Sequence, residues 1–370
     1  MDETHQELRM KPSYQPGVAV DDLRLILERT PASVWCALRG QRIFITGGTG
    51  FIGCWLLEAL IWADRQLDLG VSLTVLTRRP DAFRKKAPHL ANDGIVQLFE
   101  GDVNDLGAFT DPVDIVLHAA TDVVNAVTDQ RTVFDDIVNG TRETLALATR
   151  CGARRYLLTS SGAIYGRQPA DMTHVGEQYQ GAPDTLQPNT AYGQGKRVSE
   201  WLVQNQASQQ DLQTGIARVF ALLGPYMPLD AQFAAGNFIL DGLNQRDIKV
   251  GGDGTAQRSY LYAADMVIWL LTILIDGAPG QAYNLGSDQA LSIRELAETV
   301  SDIVYGDNRV VIGTAAVPNV PALRYVPNVD KARTQLNLLE YTDLRSAIRK
   351  TIDWRRHPLQ AACREQSGNS

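Results

Sequence analysis

Tyr192 and Lys196 stand four residues apart in Tyr192-Gly193-Gln194-Gly195-Lys196, a spacing that puts both side chains on one face of a helix. An ammonium beside a phenol favours the phenolate and lowers the tyrosine pKa, so the pair can pass a proton to or from a substrate oxygen near neutral pH. Alone, this spacing is frequent and mostly accidental. It gains weight from Thr159-Ser160-Ser161, which ends an apolar run expected to be a strand. A hydroxyl at the carboxyl edge of such a strand can hold the same oxygen. Ordinary strand-end hydrogen bonding is the plainer reading of these hydroxyls.

A second cluster bears on phosphate. Thr46-Gly47-Gly48-Thr49-Gly50-Phe51-Ile52-Gly53 follows the run Arg42–Thr46 and opens a helical pattern, with Gly47, Gly50 and Gly53 spaced GxxGxxG. Glycines there permit a tight turn, let backbone N–H groups approach a pyrophosphate, and bring helix close to strand. A glycine-rich turn without ligand is the alternative, and the flanking strand and helix weigh against it. In such a dinucleotide site the second strand ends beside the adenine ribose, where a carboxylate selects NAD. Here it ends Leu76-Thr77-Arg78-Arg79, with two guanidiniums and no carboxylate, which suits a 2′-phosphate. NADP(H) is therefore favoured over NAD(H), a solvated arginine pair being the alternative. Asp102, after Glu100-Gly101 and before Val103, is placed to accept from the adenine amino group or to cap a turn, and the sequence leaves both open.

These residues need a scaffold. Strand-like runs at Arg42–Thr46, Ser72–Thr77, Ile95–Phe99, Val113–His118, Arg155–Ser160 and Gly215–Phe220 alternate with helical patterns at Phe51–Ala63, Thr132–Arg150 and Ala191–Asn205. Buried strands alternating with helices imply an α/β Rossmann fold, a doubly wound parallel sheet. After Gly224-Pro225 the rhythm shortens, with helical patterns at Phe233–Asn244, Ala264–Asp276, Ile293–Ile303 and Asp343–Arg355. The expected organisation is an N-terminal extension (1–40), a dinucleotide-binding domain (41–224), a smaller, mixed α/β, mainly substrate-binding region (225–357) and a tail (358–370). Within the extension, the amphipathic stretch Val20–Arg29 is expected to pack on the main body.

With 44% hydrophobic and 21% charged residues, the 370-residue chain can bury a large core, which excludes a disordered or fibrous protein. A net charge of −7 gives no general attraction for phosphate backbones, so nucleic acid is a poor partner. Four cysteines without CxxC spacing argue against zinc or a disulfide framework and fit a reducing cytoplasm, and no metal is expected. No apolar run reaches the ~18 residues that would span a bilayer.

Together, Thr46–Gly53, Leu117-His118-Ala119-Ala120, Thr159–Gly166, Tyr192–Lys196 and Arg218–Pro225 resemble the NAD-dependent epimerase/dehydratase family of nucleotide-sugar enzymes, extended short-chain dehydrogenases/reductases. The likeness runs from about Arg42 to about Trp354. It implies that Ser161, Tyr192 and Lys196 form the catalytic triad, Lys196 also holding the cofactor ribose. It further implies cofactor contacts from Gly47, Thr49, Gly50, Phe51, Ile52 and Gly53, from Thr77, Arg78, Arg79, Asp102 and Val103, and from His118, Ala119, Ala120, Thr159 and Phe220. A nucleotide-diphosphate sugar would meet Thr121, Ser161, Gly162, Tyr192 and Asn237. Arg258, after Gly251-Gly252-Asp253-Gly254, is the candidate diphosphate ligand, and Arg324 a second. By the same resemblance the helices Thr132–Arg150 and Ala191–Asn205 pair across a two-fold axis in a homodimer.

Departures from the family pattern narrow the chemistry. Sugar dehydratases carry Asp-Glu directly after the triad hydroxyl, and decarboxylating relatives a glutamate, where this chain has Gly162 and Ala163. Elimination and decarboxylation are disfavoured without those carboxylates. A 4-keto-sugar reductase using NADPH and a C4 epimerase with retained NAD remain, and the arginine corner favours the reductase. A reductase of an apolar ketone and a non-catalytic dinucleotide sensor are the readings from other classes. The Arg258 segment speaks against the first, the intact triad against the second.

Overall fold

Ile43 and Ile45 of the first strand face one hydrophobic core and Phe44 faces another, so both sides of the sheet are buried by alternate residues of one short apolar run. The same division recurs at Leu117 against Val116 and at Leu157 against Tyr156 and Leu158. The computed structural model describes residues 14–120, 129–209, 211–231 and 233–356. Its central sheet comprises β1 (Arg42–Thr46), β2 (Ser72–Thr77), β3 (Val96–Glu100), β4 (Ile115–His118), β5 (Arg155–Ser161), β6 (Gln213–Val219) and a seventh strand, Gln281–Leu285. All neighbours are parallel, and the order is seventh strand, β6, β5, β4, β1, β2, β3. The chain leaves β1 in one direction for β2 and β3 and returns on its other side at β4. That reversal opens a crevice at the carboxyl ends of β1 and β4, where such sheets bind ligands.

The helices are α1 (Val20–Arg29), α2 (Ala32–Leu38), α3 (Phe51–Leu67), α4 (Pro80–Lys86), α5 (Pro88–Ala91), α6 (Gln130–Arg150), α7 (Ala191–Gln209), α8 (Ala234–Leu243), α9 (Ala263–Asp276), α10 (Ile293–Tyr305), α11 (Asp330–Leu336) and α12 (Leu344–Arg356). Two ends differ from expectation because of caps. Asp129 accepts from the N–H groups of Arg131 and Thr132, starting α6 at Gln130, and Asp68 adopts the left-handed conformation that ends α3 beyond Ala63. Among the described residues no helix is long and apolar enough to cross a membrane.

Helix α9 is buried from Ala263 through Ile275 and packs between the sheet and the N-terminal helices. The stretch Val20–Arg29 is the helix expected, and with α2 it lies on α9. Buried Asp22 of α1 accepts from Tyr262 at 2.7 Å and pairs with Lys350. The seventh strand comes from the stretch expected to be mainly substrate-binding and extends the dinucleotide sheet through β6.

Candidate active site

The crevice widens into a cavity of about 1080 Å³, at the upper end of the roughly 300–1,000 Å³ usual for small-molecule sites. Its floor is the glycine loop. Gly47 has φ +70°, and a Cβ there would lie 2.5 Å from the carbonyl oxygen of Ala119, so only glycine lets β1 turn against the end of β4. Gly47, Thr49, Gly50, Phe51 and Ile52 line the cavity together with Ala119 and Ala120. The first turn of α3 presents N–H groups without intrahelical acceptors, a site for an anionic group. Gly53 is not on the wall. It is needed because a Cβ there would collide with the backbone of Gly47 and Gly48, so its role is packing helix on loop.

At the end of β2, Thr77, Arg78 and Arg79 line the cavity with Asp102 and Val103. Thr77 Oγ1 accepts from the N–H of Arg79 at 3.2 Å, fixing the corner. Asp102 accepts from the N–H of Asn104 at 2.9 Å, so it builds a turn, while its other oxygen lies 4.0 Å from Arg78. Lys86, at the end of α4, donates to the carbonyl of Thr49 at 2.7 Å and adds a third cation to this end. The glycine loop and the helix terminus fit a dinucleotide.

Ser161 ends β5, and its hydroxyl accepts from the N–H of Ala163 at 3.1 Å and lies beside the phenols of Tyr192 and Tyr325. Thr159, Tyr192, Lys196 and Phe220 complete this wall. The expectation that the ammonium lowers the Tyr192 pKa is corrected. Burial raises that phenol above its ordinary value and outweighs the lowering influence of the neighbouring Ser161. Lys196 is itself only 2% exposed, and burial lowers it to about 7 against the opposing charge of Glu200.

Three further expectations need correction. His118 is not on the cavity wall. Its ring is buried, with Nδ1 2.8 Å from Thr46 Oγ1 and Nε2 3.4 Å from Thr141 Oγ1, and burial lowers it to about 3, as for a neutral core histidine. Asn237 is exposed on α8, whose cavity-facing residues are Ala234 and Ala235. Arg324 does not reach the cavity. In the two-residue strand Arg324–Tyr325 neighbouring side chains point to opposite faces, and it is Tyr325 that points in. Arg258 lines the cavity as expected, its guanidinium 5.9 Å from the Tyr325 ring. Thr121 lies outside the described residues.

Gly162 is not on the wall either, yet it shapes the site. A Cβ there would come within 2.6 Å of the Phe220 ring and 2.8 Å of the Tyr325 hydroxyl, so its lack of a side chain lets Tyr325 reach Ser161. Sequence reasoning missed Tyr325, although strand alternation beside Arg324 was a signal. It also missed Lys86 and the wall at Tyr226, Met227 and Pro228.

The family profile described as the NAD dependent epimerase/dehydratase family matches residues 43–286. The chain is 30% identical over 309 residues to UDP-glucuronic acid decarboxylase 6 of Arabidopsis thaliana, covering 83% of this chain and 87% of that one. The structure of UDP-glucose 4-epimerase with UDP-glucose from Thermotoga maritima superposes with a TM-score of 0.73 at 20% identity, over 86% of this chain and 99% of that one. An epimerase from Methanothermobacter thermautotrophicus gives a TM-score of 0.75 at 21% identity, over 92% and 98%. The chain is an enzyme of the extended short-chain dehydrogenase/reductase type and belongs to the NAD dependent epimerase/dehydratase family.

Proposed function

We propose that this enzyme reduces a 4-keto nucleotide-diphosphate sugar with NADPH. The observation that carries the reading is Tyr192, a phenol beside Ser161 at a strand end where Gly162 and Ala163 supply no carboxylate. The glycine loop would hold a dinucleotide, which would supply the hydride for the carbonyl carbon. The carbonyl π pair moves to oxygen, Ser161 holds that oxygen, and Tyr192 gives it a proton, so the product is an alcohol. A phenol held above its usual pKa is protonated at neutral pH and so carries a proton to give. Lys196, anchored at 2.8 Å to the carbonyl of Thr159, holds the ribose and can return a proton to Tyr192. Arg258, on the cavity wall, would face the diphosphate, and Arg78, Arg79 and Lys86 would receive a 2′-phosphate.

A second reading, favoured by the 30% identity to a UDP-glucuronic acid decarboxylase, keeps NAD bound and returns the hydride within each turnover. Releasing and identifying the bound dinucleotide, then titrating the apo-protein with NADPH and NADH, separates the two. Exchangeable, selective NADPH binding with stoichiometric oxidation on a 4-keto sugar nucleotide supports the reductase. Tight retained NAD turns the assignment to the redox-neutral chemistry of a decarboxylase or C4 epimerase. Pairing of α6 and α7 across a dimer axis belongs to the same proposal, supported by the 64% exposure of Trp201 on α7. A monomer by light scattering rejects it.

A further inference from the structure

Glu58, two helical turns beyond the glycine loop on α3, is completely buried. Burying a carboxylate is costly unless its lone pairs are filled. They are filled from three separate parts of the chain. The N-terminal segment contributes the Tyr14 hydroxyl and the Gly17 N–H at 2.9 Å, α5 contributes His89 at 2.9 Å, and the turn after Gly224-Pro225 contributes the Tyr226 hydroxyl at 2.5 Å. Gly17 has no room for a side chain: a Cβ would lie 2.7 Å from Glu58 and closer still to Tyr226.

Tyr226 is where this hub meets the ligand cavity. Its φ of +70° lies in the left-handed region, which a non-glycine residue keeps only where surrounding contacts over-determine it. Those contacts form a collar. From α3, Glu58 holds the phenol and Trp55 donates to the carbonyl of Pro225 at 2.8 Å. From α12, the Trp354 ring packs 5.0 Å from Tyr226, and Arg355 donates to the carbonyl of Met227 at 2.6 Å. Trp354 also donates to the carbonyl of Gly17 at 2.6 Å, closing the collar through the N-terminal segment. Tyr226, Met227 and Pro228 are consecutive cavity-lining residues, and α3 opens with the glycine loop itself.

We infer that Glu58 is a positioning residue, held in register by Tyr14 and Gly17 of the N-terminal segment, which locks the Tyr226 turn and sets the wall of the dinucleotide cavity. The inference rests on the dinucleotide reading of that cavity. It gives the N-terminal segment a task that its sequence does not display: completing the ligand site from behind.

The test uses the full chain with Glu58→Gln and Tyr14→Phe. NADPH and NADH affinities are measured by nicotinamide fluorescence, beside the melting temperature without ligand. Asp22→Asn is the control, since Asp22 lies in the same segment and bonds to Tyr262 and Lys350, neither of which bonds to Glu58. Dinucleotide affinity is expected to fall about tenfold in folded Glu58→Gln and Tyr14→Phe, the scale of one charge-assisted hydrogen bond. Asp22→Asn is expected to lower the melting temperature and leave affinity within twofold. Unchanged affinity in both folded variants overturns the inference, as does an equal loss in Asp22→Asn. Should Glu58→Gln fail to fold, Tyr14→Phe decides alone. Wild-type protein that binds neither dinucleotide overturns the functional reading and this inference with it, whereas a binding wild type with unaffected variants overturns the inference only.

Discussion

The ammonium of Lys196 donates to the carbonyl of Thr159 at 2.8 Å and stands 6.0 Å from the ring centroid of Tyr192, four residues earlier on the same helix face. The lysine is thus anchored to the strand end, and the phenol lies beside Ser161. In the proposed reaction Tyr192 would give the proton, and Lys196 would return one to it.

Tyr192→Phe keeps the ring and removes the transferable proton. Turnover of a 4-keto sugar nucleotide is expected to fall by about 10²–10⁴-fold, the usual worth of a positioned acid, with NADPH affinity within a few-fold. A variant retaining more than a tenth of wild-type turnover would remove Tyr192 from the donor role.

Lys196 makes stability depend on pH in a definite direction. Its pKa is about 7 in the folded chain against 10.5 for an ordinary lysine, so between those values the unfolded state binds the extra proton. Stability contributed through this group therefore rises with pH across that window, by at most about 1.4 kcal/mol per unit, and the full penalty is present below pH 7. Lys196→Met removes the penalty. The ligand-free variant is expected to melt a few degrees above wild type at pH 6, the gap closing toward pH 10, while losing activity. Melting curves at both pH values check this, and a variant less stable than wild type at pH 6 contradicts it.

Arg78 and Arg79 line the cavity at the end of β2 beside Asp102, whose carboxylate accepts from the N–H of Asn104 and lies 4.0 Å from Arg78. Replacing both by alanine is expected to lower the NADPH-over-NADH preference about 10–100-fold, through loss of charge-assisted bonds to the 2′-phosphate. Paired fluorescence titrations read it. Equal losses for both dinucleotides would show that the arginines act through the fold or the pyrophosphate instead.

What was legible in the sequence follows from how much each feature depends on distant contacts. Strands β1, β2 and β5 were readable because each carries a short buried apolar stretch, Ile43–Ile45, Val75–Leu76 and Tyr156–Leu158, and Tyr192 with Lys196 because helix geometry alone puts them together. The seventh strand, Gln-Ala-Tyr-Asn-Leu, was missed because two of its five residues are polar, and its place is decided by pairing with β6. His118 and Asn237 carried family-like positions, but local phase turned one into the core and the other to solvent. Nothing in the local sequence marks Glu58, because its partners lie 31 to 168 residues away.

The two arginines expected at the diphosphate can be told apart by strand geometry. Arg258 sits in the strand Gln257–Arg258, paired antiparallel to Leu291–Ser292 and parallel to Arg324–Tyr325, with Arg258 opposite Tyr325. Opposed residues of adjacent strands share a face, so Arg258 and Tyr325 turn together into the cavity and Arg324 turns away with Gln257. Arg258→Ala is therefore expected to weaken binding of a nucleoside diphosphate about tenfold or more, since an arginine fork on a diphosphate makes more than one charge-assisted bond. Arg324→Ala is expected to leave it within twofold, and neither change to alter dinucleotide affinity more than a few-fold. Calorimetric titration of UDP and dTDP into both variants reads the difference. If Arg324→Ala proves the more damaging, the ligand's diphosphate lies on the outer face of this small sheet, and the cavity assigned to it is the wrong one.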